Sequence, residues 1–562
     1  MTKNTTETLT GSQIVVRLLE RQGVRRIPGI PGGAILPFYD ALSQSTLIEH
    51  VLVRHEQGGG FMAQGAARAT GEVSVCLATS GPGATNLLTA IADAKLDSIP
   101  VVAITGQVPT SLIGTDAFQE VDTYGLSIPI TKHNFLVGSA RELLEVIPKA
   151  FTLAASGRPG PVLVDIPKDV QNERIEIGAD EWPEPGQRQA APVANEDLID
   201  EAAAMINGAQ RPILYLGGGV VHSEGASLAV ELAEKAGLPT VMTLMALGAM
   251  PVDHDLSLGM LGMHGARCTN MALEECDLLI AVGARFDDRA TGKVSTFCPN
   301  AKVVHVDIDR SELDKIKTAH VAICGDVKEV LGRLLPKVQD IRRHDWLARV
   351  AELKAGFPLR MPGIDDPRTP YGLIRAVADC LDDDAIVATD VGQHQMWVAQ
   401  AYPLRRPRQW LTSGGLGTMG FGVPAAIGAA LAQPERTTVC FTGDGSILMN
   451  IQELATAAEE GANVKIVLMN NASLGLVFQQ QTLFYGERIF SSKFKGEPDF
   501  IKIADGFGWR TLDLDTADDP RAALAEVFAQ PGPAFIHASI DRHEQVLPMV
   551  APGGANKDMI GG

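Results

Sequence analysis

Two polar motifs lie one strand–helix–strand step apart in the last third of this chain. The β-branched run 437–442 (TTVCFT) leads into Gly443-Asp444-Gly445-Ser446, and the run 464–469 (VKIVLM) leads into Asn470-Asn471. A carboxylate and an amide oxygen at neighbouring strand ends suit a hard cation such as Mg²⁺, which keeps positions open for water and phosphate oxygens. The glycines let backbone approach a diphosphate, and the N-terminus of the following helix faces the anion. Open α/β sheets bind ligands at this carboxyl edge. Ile451, Leu454, Ala455 and Ala458 fall on one face of that helix. GDG alone is a common turn sequence. The ordered set of GDGS, helix, strand and NN carries the reading.

Two further places hold chemistry-bearing residues. Glu56 ends the run VLVRHE and precedes Gly58, Gly59 and Gly60. Taken alone it reads as a helix N-terminal acid facing solvent. In the middle third, PILYLGGGVV sets Gly217, Gly218 and Gly219 after a strand, and KVVHVDID sets Asp307 and Asp309 at another strand end. His222 stands where the third glycine of GxGxxG belongs, so the nucleotide signal is weak.

The elements that must position these residues follow from patterning. Runs apolar on both faces, such as 73–80, 100–106, 161–167, 212–219, 278–284 and 302–309, alternate with helical stretches. This predicts buried parallel strands in α/β units. The 562 residues exceed one domain. Residues 176–196 and the four-proline stretch 355–370 read as linkers. They divide the chain into 10–175, 197–340 and 370–545, with a C-terminal tail over 546–562 that is mobile unless docked. The predicted fold class is α/β, with three doubly wound parallel-sheet domains.

Composition excludes several classes. Apolar residues are 45% and charged residues 20%, as in an ordinary globular chain. With 48 basic and 67 acidic side chains the net charge is −19, which argues against a nucleic-acid binder. The seven cysteines (Cys76, Cys268, Cys276, Cys298, Cys324, Cys380, Cys440) form no CxxC pair and read as reduced thiols of a cytoplasmic protein, without zinc. The N-terminus shows no apolar signal region. No apolar run reaches the ~18 residues of a membrane span; the best, 421–432, is broken by Gly422, Pro424 and Gly428.

GDGS followed by NN at this distance resembles the thiamine-diphosphate signature. The segments RHEQGGGFMAQGAAR (54–68), SGPGATN (80–86), GTDAFQEVD (114–122), GRPGPVLVDIPKD (157–169), LGMLGMHG (258–265), GARFDDR (283–289), DVGQHQMW (390–397) and SGGLGTMGFGVPAAIGA (413–429) resemble the large catalytic subunit of the acetolactate synthase (acetohydroxyacid synthase) family. The resemblance runs from about residue 10 to the C-terminus.

That resemblance implies three domains: pyrimidine-binding, FAD-binding and diphosphate-binding. It implies a carboligase that decarboxylates pyruvate and adds the two-carbon unit to a second 2-oxoacid. Pyruvate as acceptor gives 2-acetolactate, and 2-oxobutyrate gives 2-aceto-2-hydroxybutyrate, in the first common step of valine, leucine and isoleucine biosynthesis. The implied cofactors are thiamine diphosphate, Mg²⁺ and a structural FAD. The implied partners are a second copy or four copies in all, and a small regulatory subunit; neither nucleic acid nor membrane is expected.

Residue by residue, Glu56 is the family's glutamate that keeps N1′ of the aminopyrimidine protonated, and it reaches cofactor held by the other subunit. Val391, Gln393, His394, Gly417, Met419, Gly443, Asp444, Gly445, Ser446, Asn471 and Gly475 match thiamine-diphosphate positions, with Met419 propping the cofactor. Asp444, Asn471 and Ser473 match the metal ligands. Arg289 matches the acceptor-carboxylate residue, with a salt bridge to Asp287 or Asp288 as its alternative role. Phe118, Gln119 and Lys168 match residues at the active-site entrance. Flavin positions are Arg158, Gly217, Gly218, Gly219, Leu244, Met263, His264, Gly283, Arg285, Asp287, Arg289, Asp307, Ile308 and Asp326. Gln480 departs from the family: many members carry Trp there, shaping the pocket for the extra methyl of 2-oxobutyrate, and Gln resembles an enteric branch. Weak discrimination between acceptors is therefore expected, since a buried methyl is worth about 1–3 kcal/mol. The alternatives are a pyruvate oxidase-like thiamine flavoenzyme, a flavin-free catabolic carboligase and a non-catalytic scaffold.

Overall fold

The computed structural model describes residues 6–561. Three six-stranded sheets organise the chain, each all parallel. Their central strands are buried along their whole length, as their two-faced apolar sequences require. The first sheet runs in space as Glu49–Leu52, Arg26–Gly29, Ser74–Ala78, Val101–Gln107, Val162–Pro167, His133–Leu136. The third runs as Trp410–Leu411, Ile386–Thr389, Thr438–Gly443, Val464–Asn470, Ala534–Ser539, Arg510–Asp513. In chain order both read second, first, third, fourth, sixth, fifth. The middle sheet, between Pro212 and Cys324, reads third, second, first, fourth, fifth, sixth, the order of dinucleotide-binding sheets. The expected fold class is the observed one.

Two helices join the first and third sheets. α1 (Glu56–Thr70) follows the edge strand of the first sheet, and α3 (Gly422–Ala432) precedes the Thr438–Gly443 strand of the third. α2 (Pro82–Asp97) lies beside α1, and a Cβ on Gly60 would stand 2.6 Å from the Ala90 methyl. A Cβ added at Gly65 would overlap the Ala425 carbonyl, and one at Gly428 would overlap that of Met62. The two backbones therefore touch. Phe61 and Phe421 meet edge to face, 5.4 Å between centroids. Val51, Val53 and Met62 share one apolar core with Ile386, Leu411, Val423 and Ile466. The middle sheet joins the third through a second core that holds Leu214, Leu216 and Val282 together with Trp397 and Phe441.

Two expectations need correction, and the tail takes the docked branch of its own. The helix after GDGS is not continuous: a short turn, Asp444–Ile447, is followed by Glu453–Glu459. Its buried side is Glu453, Leu454, Thr456 and Ala457, while Ile451, Ala455 and Ala458 are only partly covered, because the break rotates the second piece. The stretch 176–196 begins inside a strand, Arg174–Ile177, that pairs antiparallel with Glu7–Thr10; the stretch 355–370 begins inside the helix His344–Gly356. The tail is docked: Met549 bridges Ile560, Val550 N donates to Met263 O, and Lys293 N donates to Gly554 O. Among the described residues no helix is long and apolar enough to cross a membrane. The seven thiols are free, five of them buried.

Gly65→Ala or Gly428→Ala should each cost about 1–3 kcal/mol by forcing the two helices apart. Gly208→Ala, in a helix with open space around the added methyl, should not. Thermal midpoints check this; equal effects at all three positions would contradict the helix contact.

Candidate active site

At the carboxyl edge of the third sheet the sequence-predicted residues converge. Ser473 N donates to Asp444 Oδ2 at 2.9 Å, and Ser473 Oγ to Asn471 Oδ1 at 3.0 Å. Asn471 Nδ2 donates to Gln393 Oε1 at 3.0 Å, and Ser446 Oγ to Val391 O at 3.0 Å. Burial pushes the Asp444 carboxyl up to about 6, a cost that a bound cation would offset. The oxygen donors of Asp444, Asn471 and Ser473 are the set a hard cation takes.

Glycines bring the backbone close to its neighbours beside these donors. Cβ atoms at Gly443 and Gly445 would stand 2.9 Å from His394 Nδ1 and 2.7 Å from Leu474 Cδ2. One on Gly475 would overlap Gln393 Oε1. His394 is buried, its pKa is pushed down to about 3 by that burial, and its Nε2 has no partner. An unpartnered buried nitrogen here is open to a hydrogen bond from a bound group. Met419 Cε lies 3.5 Å from the position a Gly445 Cβ would take. Beneath this edge, Asp390 is fully buried and accepts from Gly420 N at 2.7 Å and Val391 N at 3.1 Å.

A second site lies at the switch point of the middle sheet. A cavity of about 850 Å³ opens there, and every residue that the resemblance assigns to flavin lines it. The loops 217–219 and 283–284 touch backbone to backbone; a Cβ on Gly219 would stand 2.7 Å from Gly283 Cα. Gly283 has φ 59°, which favours glycine. Thr243 Oγ1, on the cavity wall, is buried without a partner. Arg158 donates to Glu312 Oε1 at 2.7 Å and Ser98 Oγ at 2.8 Å. Burial holds Asp307 up at about 6 and His264 down at about 4; His264 Nδ1 faces Pro548 O at 3.1 Å. Asp287 and Asp326 cap the N-termini of short helices, and Asp326 also meets Arg188 at 2.8 Å. Size, glycine-lined backbone and the orphan hydroxyl fit a dinucleotide.

Gln480 and Gly417 also line this cavity, so the middle and third sheets share it. Arg289 is largely exposed; Asp287 accepts from its backbone N, and only a 3.8 Å approach to Asp288 resembles a salt bridge.

Among the described residues, the first-sheet candidates make no hydrogen bond to the Asp444 cluster. Glu56 opens α1 but is buried, 9% exposed, and accepts from Asn86 Nδ2 at 2.9 Å, so the solvent-facing alternative is excluded. Gln119 has φ 59° and packs against Gly81. Phe118 is 89% exposed, and Lys168 starts a short helix after the strand Val162–Pro167. Among the described residues, no hydrogen bond links Glu56, Gln119 or Lys168 to Asp444, Asn471 or His394.

Sequence reasoning missed several lining residues. Arg188 lies in the stretch read as a linker, yet borders the large cavity. Asp97, Ser98, Met245, Gln395 and Gly414 do so too, from helix ends and loops whose sequences carry no nucleotide pattern.

Residues 9–126 match the family described as "Thiamine pyrophosphate enzyme, N-terminal TPP binding domain". Residues 199–334 match its central domain and 390–538 its C-terminal TPP binding domain. The chain is 61% identical over 560 residues to the acetolactate synthase isozyme 1 large subunit of Escherichia coli strain K12, covering 100% of this chain and 99% of that one. It is 47% identical over 571 residues to the acetolactate synthase large subunit of Corynebacterium glutamicum, covering 98% and 90%. It is 45% identical over 568 residues to the chloroplastic acetolactate synthase 1 of Nicotiana tabacum, covering 98% and 84%.

Burial lifts Asp390 to about 6 from an ordinary carboxylate's 3.8. Its folded pKa is raised, so its contribution is full below about pH 4 and is lost as pH rises through about 6. Asp390→Asn keeps the shared acceptor oxygen. Its denaturation midpoint should therefore gain on wild type between about pH 4 and about pH 6. A constant difference across that window would contradict the burial effect.

Proposed function

We propose a division of labour for the residues of this chain, which belongs to the thiamine pyrophosphate enzymes and, within them, to the acetolactate synthase large subunits. It is a thiamine-diphosphate-dependent carboligase of branched-chain amino-acid biosynthesis. The relatives named as synthases settle the choice against an oxidase.

One observation carries the site reading: Asp444, Asn471 and Ser473 converge beside the unpartnered His394 Nε2 at one sheet edge. In our reading Asp444, Asn471 and Ser473 hold Mg²⁺. Gly443, Gly445, Ser446 and Gly475 bring backbone and hydroxyl to a diphosphate, with Val391, Gln393 and His394 beside it. Gly417 and Met419 set the cofactor's orientation. Bound thiamine diphosphate supplies the carbanion chemistry that decarboxylates a 2-oxoacid. Glu56 keeps a proton at N1′ of its aminopyrimidine; low exposure and a single amide partner support that role.

Arg289 pairs the acceptor carboxylate with its exposed guanidinium. Gln119 contacts the reacting 2-oxoacids, Lys168 and Phe118 line the entrance, and Gln480 borders the acceptor. The substrates are pyruvate and 2-oxobutyrate. FAD fills the middle cavity without taking part in redox, held by Arg158, the 217–219 and 283–289 loops, Leu244, Met263, His264, Asp307, Ile308 and Asp326. We assign the three domains to 10–175, 197–340 and 370–545.

We read the site as one completed by a second copy, as homodimer or homotetramer; among the described residues Glu56 makes no hydrogen bond to Asp444 or Asn471. The relatives named large subunits support a small regulatory partner. A cytoplasmic setting fits the seven free thiols.

Glu56→Gln should abolish turnover while thiamine diphosphate still binds, read by equilibrium titration; full activity would overturn the role of Glu56. Gln480→Trp should raise the ratio of acetohydroxybutyrate to acetolactate at equal acceptor concentrations by about tenfold, as one methyl-sized contact allows. A strong acetohydroxybutyrate excess already in the wild type would refute the assigned role of Gln480.

A further inference from the structure

The loop 413–420 that carries Met419 is held by side chains from the first third of the protein. Arg68 on α1 and Asp93 and Asp97 on α2 are each over nine-tenths buried. The guanidinium of Arg68 stands 2.8 Å from Asp97 Oδ2 and 3.3 Å from Asp93 Oδ2, and lies over the Phe421 ring. It also donates to Thr412 O at 2.9 Å.

The loop answers with donors. Gly414 N donates to Asp97 Oδ2 at 3.0 Å and Gly415 N to Asp97 Oδ1 at 2.7 Å. Thr418 Oγ1 donates to Asp93 Oδ1 at 2.8 Å, and Ser413 Oγ donates to the same oxygen. Thr418 N donates back to Ser413 Oγ at 2.8 Å.

Two carboxylates against one guanidinium leave buried negative charge, a costly way to build a core. What they provide is geometry: charge-assisted bonds to successive N–H groups fix a glycine-rich loop that would otherwise have many conformations. Asp97 and Gly414–Gly417 also line the large middle cavity. One carboxylate thus grips the loop from within the wall that the cavity and the thiamine site share.

We propose that Asp97, with Arg68 and Asp93, is a positioning device for loop 413–420, and that through this shared wall it couples occupancy of the flavin cavity to thiamine diphosphate binding. The inference rests on the reading of Gly417 and Met419 as thiamine contacts and adds what fixes them. Asp97→Asn sets an amide N–H₂ against Gly414 N or Gly415 N, donor facing donor. Thr418→Val removes one hydroxyl donor while keeping shape and leaves every buried charge in place. Coupling of this kind is reciprocal, so each cofactor tightens the other by the same factor.

The test is equilibrium titration of the full-length chain with thiamine diphosphate at fixed Mg²⁺, with and without FAD. Wild type, Asp97→Asn, Thr418→Val and Met419→Ala are compared. FAD should tighten thiamine diphosphate several-fold in wild type. Asp97→Asn should weaken it about tenfold, one lost charge-assisted bond, and remove the FAD dependence. Thr418→Val should act in the same direction by a smaller factor. At saturating cofactors kcat should fall while the pyruvate KM stays within about twofold, because no residue of the cluster touches substrate.

Unchanged affinity in Asp97→Asn and Thr418→Val, with Met419→Ala weakened, would overturn the proposal and leave the site reading intact. Unchanged affinity in Met419→Ala would overturn both. Absence of any FAD effect in wild type would overturn the coupling. Loss of cofactor-free thermal stability in proportion to lost affinity, in both cluster variants, would reduce the cluster to core packing and overturn the proposal.

Discussion

The contact between α1 and α3 is the constraint on which the rest of this structure depends. Glycine on each helix lets the backbone of one meet the backbone of the other at Ala425 and Met62. Such a contact tolerates no added methyl, so it fixes translation as well as distance. Both helices begin at chemistry: Glu56 opens α1, and Met419 and Gly420 lead into α3. Locking the helices therefore locks Glu56 and the loop that carries Met419 into one rigid unit. The Arg68–Asp93–Asp97 cluster extends the lock to the loop itself.

The same logic explains why three sheets serve two ligand sites. Strand order sets where a sheet's crossovers diverge, and the crevice there receives ligand. In the third sheet it lies between Ile386–Thr389 and Thr438–Gly443, whose ends carry Val391–His394 and Gly443–Ser446. In the middle sheet it lies between Pro212–Leu216 and Leu278–Val282, whose ends carry Gly217–Gly219 and Gly283. Where the GxGxxG is incomplete, the Gly283 loop closes against Gly219 from the neighbouring strand.

Much of this was legible in the sequence where the signal was local. Strand runs apolar on both faces announced parallel sheets, and GDGS followed by NN marked one crevice within a single β-α-β step. Nothing local marks Arg68, Asp93 or Asp97, because an isolated charge in a helix reads as a solvated face until its partners, on the next helix and on a loop hundreds of residues away, are known. Arg188 was hidden by a stretch whose prolines and polar residues read as linker, although it borders the large cavity. The break between Ile447 and Glu453 was missed because Met449-Asn450 carries no strong helix breaker. The shared strand order of the first and third sheets left no repeat, since it depends on the alternation of apolar runs rather than residue identity. Docking of the tail rests on Val550 and Gly554 meeting Met263 and Lys293, pairings that no spacing rule predicts.

Carboligation at a thiamine site beside a flavin that takes no electrons is the central proposal. Product analysis tests it most directly: the purified chain is supplied with pyruvate, Mg²⁺, thiamine diphosphate and FAD while oxygen uptake is recorded. The account predicts acetolactate without proportional oxygen consumption. Acetate or acetyl phosphate formed with stoichiometric oxygen uptake would contradict it.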